Sequence, residues 1–252
     1  MSRPSMTDGL NTTGISTLGK HSSSQASLLG IGGAVTIQGL CALYLIRHLQ
    51  QPAPWDVQFL ELLHQQATPW LDRLALWLTP LGTRWGTFPL FIMGLLSLAN
   101  QRQWRKLLYW MSAIGGTTVI ATLLKVIWHR ARPSLWPSLL APDHYPADWA
   151  FPSTHAAASL SLVLALGALY SSQQLLDRPY GRVWRWSIAG LGGGFVLIIA
   201  WTRLYLGVHF PSDIIGGWSI AYLITQVANR LILSPMDPVQ RPSTPSSLLT
   251  RR

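Results

Sequence analysis

Six mostly apolar stretches recur along the chain, at residues 28–46, 83–99, 107–127, 153–170, 183–201 and 214–233, and short segments between them hold most of the charge. Each comes near the roughly 20 residues that an α-helix needs to cross a hydrocarbon core, the second being the shortest. The pattern predicts an all-α integral membrane bundle of six transmembrane helices. Between the first two stretches the pattern changes. There Phe59, Leu63, Trp70, Leu71, Leu74, Trp77 and Leu78 recur at helical spacing among polar residues, as in an amphipathic helix lying in the membrane interface. Residues 1–27, rich in Ser, Thr and Gly with no apolar period, read as a disordered tail, and the Pro- and Ser-rich residues 234–252 as another. The predicted organisation is a tail at 1–27, one six-helix domain over 28–233 and a tail at 234–252. No small-residue cleavage pattern follows Ile46, so the first stretch reads as a retained helix rather than a signal peptide.

Composition supports this reading: 49% of residues are apolar, 11% are charged, and thirteen are tryptophan. The formal net charge of +10 would suit a nucleic-acid binder, but Lys and Arg lie in short groups between apolar stretches rather than on one polar face. Lipid headgroups are the expected partners, and no nucleic acid. The single cysteine, Cys41, excludes an intrachain disulfide and a cysteine-based metal site. Positive residues favour the cytoplasmic side. With six spans and an inner amino terminus, Arg3, Lys20, Arg102, Arg105, Lys106, Arg178, Arg182, Arg185, Arg230, Arg241, Arg251 and Arg252 fall inside. Arg47, Arg73, Arg84, Lys125, Arg130, Arg132 and Arg203 fall outside. The expected placement is a plasma membrane, with both termini cytoplasmic.

That topology puts three polar clusters on the same, outer side: residues 125–133, 152–155 and 203–213. Ionisable groups beside apolar spans are costly and mark a site. Lys125 lies about two helical turns before Arg132, and Pro133 favours an extended Arg132, a bend that aims both cations at one pocket. Arg and Lys suit phosphate oxygens, the first as a planar fork and the second as a compact charge. Basic residues at a helix end also sit among lipid phosphates for no further reason; Arg130 and His129, which have no motif role, are left to that reading. Ser153 or Thr154 is placed to cap the helix that follows, and its free amides form a ready anion site. His155, in the first turn, is within reach of a leaving oxygen. His209 and Asp213 read as a nucleophile or base with the carboxylate that fixes its tautomer, or else as a structural pair. Pro211 is expected to start the last helix, with a turn returning Asp213 to His209. Arg203 adds a third cation. The inventory is that of a membrane phosphohydrolase.

Lys125 with six residues before Arg132-Pro133, then Pro152-Ser153-Thr154-His155, then Arg203 with five residues before His209 and three more before Asp213 resembles the three-part signature of the type 2 phosphatidic acid phosphatase superfamily. The resemblance implies a six-helix core over about 28–233 and a phosphatase that needs neither metal nor cofactor. It further implies that His209 attacks phosphorus and carries a phosphohistidine, Asp213 orients its ring, and His155 is the general acid. Lys125, Arg132, Ser153, Thr154 and Arg203 would bind the phosphoryl oxygens. Two positions depart from the family pattern: Thr154 stands where Gly is usual, and Thr202 where Ser is usual. A β-branched Thr154 resists positive φ and crowds the pocket.

The expected substrate is a lipid phosphate or diphosphate at the outer leaflet. Undecaprenyl diphosphate comes first, ahead of phosphatidylglycerol phosphate, phosphatidate and diacylglycerol pyrophosphate. Transfer of the phosphoryl group to a lipid or sugar acceptor is the alternative. A non-enzymatic anion or lipid transporter explains the three cations but not His155 or the His209 and Asp213 pair. No motif specifies an oligomeric state. Gly190, Gly192, Gly193 and Gly194 read as close helix packing. Asp143, His144 and Asp148 have no distinctive metal-ligand spacing, and Trp136, Trp149 and Phe151 read as interfacial anchors.

Overall fold

The computed structural model of the chain describes residues 32, 33, 35–41, 43, 44, 47, 48, 51–136, 145–170 and 180–233. The predicted tails, 1–27 and 234–252, and Asp143 and His144 lie outside the described residues. Those described form an all-helical fold with no strand among them. The first apolar stretch is helical at its described positions, including residues 35–41, 43 and 44.

The next segment departs from expectation: two helices stand where one amphipathic helix was predicted. They are α1, Pro54–His64, and α2, Pro69–Leu78, followed by a single 3₁₀ turn, Thr79–Gly82. The break has a local cause. Pro69 has no backbone N–H to continue α1 and suits a first helical position instead, while Thr68 Oγ1 accepts from Leu71 N at 3.5 Å. A turn over residues 83–86 likewise delays α3, Thr87–Asn100, relative to the predicted start at 83.

Helix α4 runs Trp104–Trp128. Among the described residues it is the one helix both long and apolar enough, by length and composition, to cross a membrane. Its middle turn, Met111–Gly116, is π-helical, and Thr117 and Thr118 bond back to the carbonyls of Ala113 and Ile114 at 2.5 and 3.0 Å. Beside that turn Tyr109, Trp110, Ala113 and Ile114 pack on Leu162, Ala165 and Ala228.

Three helices frame the core: α5, Thr154–Tyr170; α6, Gly181–Tyr205; and α7, Pro211–Ala228, which continues into a π-helical turn, Asn229–Leu233. Helix α5 packs along both α6 and α7, and its buried Ala156, Ala157 and Ala165 leave room for close approach. A side chain at Gly217 would come within 2.5 Å of Ser153 O, so this glycine sets how closely α7 meets the start of α5. The Phe151 ring fills the space beside Gly216. Phe151 is therefore a core residue, only 2% exposed, and not the interfacial anchor expected of it. Of Gly190, Gly192, Gly193 and Gly194 on α6, Gly192 alone meets a neighbour, Val163, too closely for a side chain to fit without a shift.

Burial is inverted relative to a water-soluble protein. Trp77, Leu191 and Leu231 are 82%, 78% and 77% exposed, along with many other large apolar side chains on the outer helix faces. Asp56, Lys125, Arg130, Arg203, His209 and Asp213 are buried. Apolar surface of this extent marks contact with lipid or partners, and buried charge demands partners of its own.

Candidate active site

The buried charges gather where α4 ends, α5 begins and α6 passes into α7. Helix α4 stops at Trp128, with His129 at φ 46° in the left-handed region as its cap. The chain then runs irregularly, which lets Arg132 fold back towards Lys125. Both grip one carboxylate: Lys125 Nζ lies 3.1 Å from Asp148 Oδ2, and Arg132 Nη2 lies 2.5 Å from Asp148 Oδ1. Lys125 also donates to Trp149 O, and Arg132 to Asp148 O at 2.9 Å and Val208 O at 2.6 Å. Burial pushes the Asp148 carboxyl up, but Lys125 and Arg132 outweigh it and hold the group below its usual range.

Between α6 and α7 the chain turns at Gly207, whose φ of 64° disfavours any side chain and whose Cα faces the Trp136 ring. This turn presents His209, 1% exposed. Arg132 Nη1 lies 3.2 Å from His209 Nε2. A guanidinium only donates, so Nε2 is assigned as the acceptor and the ring proton to Nδ1. His209 Nδ1 lies 3.4 Å from Asp213 Oδ2, too poorly aligned for a hydrogen bond but facing the carboxylate that would receive its proton. Burial first, then the charges of Arg132, Lys125 and Arg203 and the ring of His155, push His209 well below its ordinary value near 6.5. Its imidazole is neutral at pH 7, and all three cations act on this one ring. Pro211 starts α7 as predicted, and Asp213 Oδ2 accepts from Phe210 N at 2.8 Å.

Ser153 caps α5, its Oγ 3.5 Å from Ala156 N, while Ser153 N bonds Asp213 O at 3.1 Å. The cap thus ties the start of α5 to α7. The first-turn amides of Thr154 and His155 precede the first α5 bond, from Ala157 N to Ser153 O, and so belong to the unsatisfied donors of a helix start. Thr154 sits in the helix; the positive-φ non-glycine residues among those described are Arg102 and His129. The strain expected of a β-branched residue at Thr154 does not arise.

Arg203 and His155 are held by a segment that the motifs do not include. Arg203 Nη1 donates to Thr79 Oγ1 at 2.7 Å, and its buried Nε has no partner among the described residues. His155 Nε2 lies 3.3 Å from Thr83 Oγ1. Thr79 opens the 3₁₀ turn and Thr83 follows it, 124 and 72 residues from their partners in sequence. Thr202 Oγ1 donates to Ile199 O at 2.7 Å, a bond that serine would make equally well.

Arg130 corrects the sequence reading. It is 1% exposed rather than set among lipid headgroups, with Nη1 2.6 Å from Asp213 Oδ1 and Nη2 2.8 Å from Asp56 Oδ2. Burial pulls the guanidinium down, but Asp213 and Asp56 outweigh it, and it is held above its ordinary value. His129 remains exposed, edge-on to Trp149.

A neutral buried imidazole, backed by a carboxylate and ringed by fixed cations with an unspent N–H, is built to handle phosphate. Residues 104–235, just over half the chain, match the model of the PAP2 superfamily, and the chain belongs to that superfamily. Phosphatidylglycerophosphatase B of Bacillus subtilis is 27% identical over 157 residues, covering 62% of this chain and 72% of its own length. Undecaprenyl-diphosphatase of Sulfolobus acidocaldarius is 26% identical over 187 residues, covering 70% and 78%. The crystal structure of a transmembrane PAP2-type phosphatidylglycerolphosphate phosphatase from Bacillus subtilis shares the fold, with TM-score 0.62 at 21% identity over 79% of this chain and 94% of that one. The chain is a lipid phosphatase of this superfamily, hydrolysing a lipid phosphate, and a membrane protein agrees with both its apolar exterior and these relatives.

Proposed function

We propose that the protein hydrolyses a lipid phosphate or diphosphate through a phosphohistidine at His209. The observation that carries this reading is the setting of the His209 ring, with Nε2 towards Arg132 and Nδ1 towards Asp213. Lys125, Arg132, Arg203, Ser153 and the Thr154 amide take the phosphoryl oxygens, which displace Asp148 and accept from the Arg203 Nε that has no partner among the described residues. His209 Nε2 attacks phosphorus as the bond to the leaving oxygen breaks, and His155, which takes up a proton once the negative charge of the bound phosphate offsets Arg203, Arg132 and Lys125, gives that proton to the leaving oxygen. Asp213 balances the positive charge that develops on the ring. His155, now neutral, takes a proton from water; the hydroxide attacks phosphorus, the P–N bond breaks, and phosphate leaves with His209 restored. Phosphoryl transfer depends chiefly on positioning and charge stabilisation, and the three cations supply both.

The same reading places six spans over 28–233 with tails at 1–27 and 234–252, both termini cytoplasmic and the site on the outer side. It rests on the apolar helix faces and on the distribution of Lys and Arg. Segment 54–82, rich in exposed tryptophan, lies in the interface on the site side. Undecaprenyl diphosphate is the favoured substrate, followed by phosphatidylglycerol phosphate; these are the phosphates named by the two relatives. Phosphate release by detergent-purified protein in EDTA, over both lipids, phosphatidate and a soluble phosphomonoester, tests the reading beside His209→Ala. Release that resists EDTA and vanishes in the variant supports it. Equal turnover by His209→Ala sinks the nucleophile assignment.

A further inference from the structure

Asp56 is fully buried on α1, outside the stretch that matches the family model. A lone carboxylate there would be very costly, and four donors meet it. Arg130 Nη2, Tyr44 OH and Ser212 Oγ reach Oδ2 at 2.8, 2.7 and 2.7 Å, and Ser212 N reaches Oδ1 at 3.1 Å. Arg130 bridges from Asp56 to Asp213 and donates to Ser212 Oγ at 2.6 Å, with the Phe210 ring 4.7 Å from its Cζ. Because Arg130 holds Asp213 Oδ1, the other oxygen is the one left for Phe210 N and His209.

The charges within this cluster matter as much as the bonds. Arg130 paired with Asp213 alone would cancel the charge that His209 needs when its ring becomes positive. With Asp56 added, one cation faces two carboxylates, and a net negative charge remains beside the ring. Buried ion networks are weak devices for stability, since apolar residues of similar volume often serve as well. A catalytic setting explains why this one ends on Asp213.

We propose that Asp56 and Arg130 are positioning residues for phosphoryl transfer, acting through Asp213 on His209: Arg130 fixes which carboxylate oxygen faces the ring, and Asp56 offsets the charge of Arg130 so that the cluster keeps a net negative charge beside the ring. This rests on His209 as the nucleophile. The test compares Asp56→Asn and Arg130→Lys with wild type and His209→Ala in detergent, with rates counted per phosphate-binding site. Asp56→Asn should lower kcat about 10- to 100-fold, less than the roughly 10²- to 10³-fold of losing a donor that touches the transition state because it acts through Asp213, with KM and inhibition by inorganic phosphate within about threefold. Removing negative charge disfavours imidazolium, so its acid limb of kcat/KM should move to lower pH. Arg130→Lys keeps the charge but loses the fork, and should lower kcat without that shift. Ser212→Ala, which keeps every charge, should fold where the others fail and lose kcat several-fold at unchanged KM. Wild-type kcat per site in Asp56→Asn, or in Ser212→Ala where Asp56→Asn does not fold, overturns the proposal. Turnover by His209→Ala would instead remove the reading beneath it.

Discussion

Two clusters of buried charge meet at His209 and differ in how completely they are satisfied. In the first, Asp56, Arg130, Ser212 and Asp213 bond one another, and its carboxylates have their acceptors occupied. In the second, Lys125 and Arg132 share Asp148, which is half-exposed, while Arg203 keeps a buried Nε without a partner among the described residues. A satisfied cluster holds a shape. An unsatisfied cluster with excess positive charge, reachable through a half-exposed carboxylate, is prepared to exchange that carboxylate for an anion.

On this contrast, the largest loss outside the proposed nucleophile, His209, comes from the open cluster. Arg203→Lys should lower kcat/KM by roughly 10²- to 10³-fold, because an ammonium cannot bond Thr79 and a phosphoryl oxygen in the geometry of the fork. Steady-state kinetics checks this; a loss under threefold would place Arg203 with structural cations.

The second effect is on stability. His209 is held well below its ordinary value near 6.5 in the folded protein. As pH falls through that value, the unfolded chain takes a proton that the folded chain refuses. Stability is therefore unaffected by this group above pH 6.5 and declines below it, by up to about 1.4 kcal/mol per pH unit. Thermal unfolding in detergent at pH 7.5 and 5.0 should show a smaller decline for His209→Ala than for wild type, and equal declines would contradict the burial argument.

Asp148→Asn should act more mildly and in the opposite direction. The carboxylate is about half-exposed, so its hold on the two cations is worth no more than about 1 kcal/mol after solvent screening. Inhibition by inorganic phosphate should strengthen up to about fivefold. Smallest of all, Thr154→Gly should leave kcat and KM within about threefold, because Thr154 already adopts helical backbone and needs no glycine. A large gain on restoring glycine would show that the threonine side chain obstructs the site.

The cations of the open cluster were readable from sequence, its carboxylate Asp148 was not, and the closed cluster was readable only in part. Lys125, Arg132, Ser153, His155, Arg203, His209 and Asp213 lie in short motifs whose spacing survives folding, and the chain turns where Pro211 required it. Arg130 was misread because its partners are distant: Asp56 is 74 residues away and Asp213 is 83. Thr79 and Thr83 were missed for the same reason. One signal was available for Asp56. The chain has nine acidic residues against nineteen Lys and Arg, so a carboxylate beside an apolar helix was a strong candidate to pair with a buried cation. For the fold, apolar stretches located the helices, but their ends followed local chemistry: Pro69 split the predicted amphipathic helix, and the turn at 83–86 shortened α3.

The central claim is that His209 becomes phosphorylated. Rapid acid-free quenching of the protein with phosphate-labelled substrate, followed by peptide mass spectrometry, should find an acid-labile, alkali-stable phosphoryl group on His209 in wild type and none in His209→Ala. Turnover with no adduct on His209 under any quench condition, or an adduct on another residue, would contradict the account.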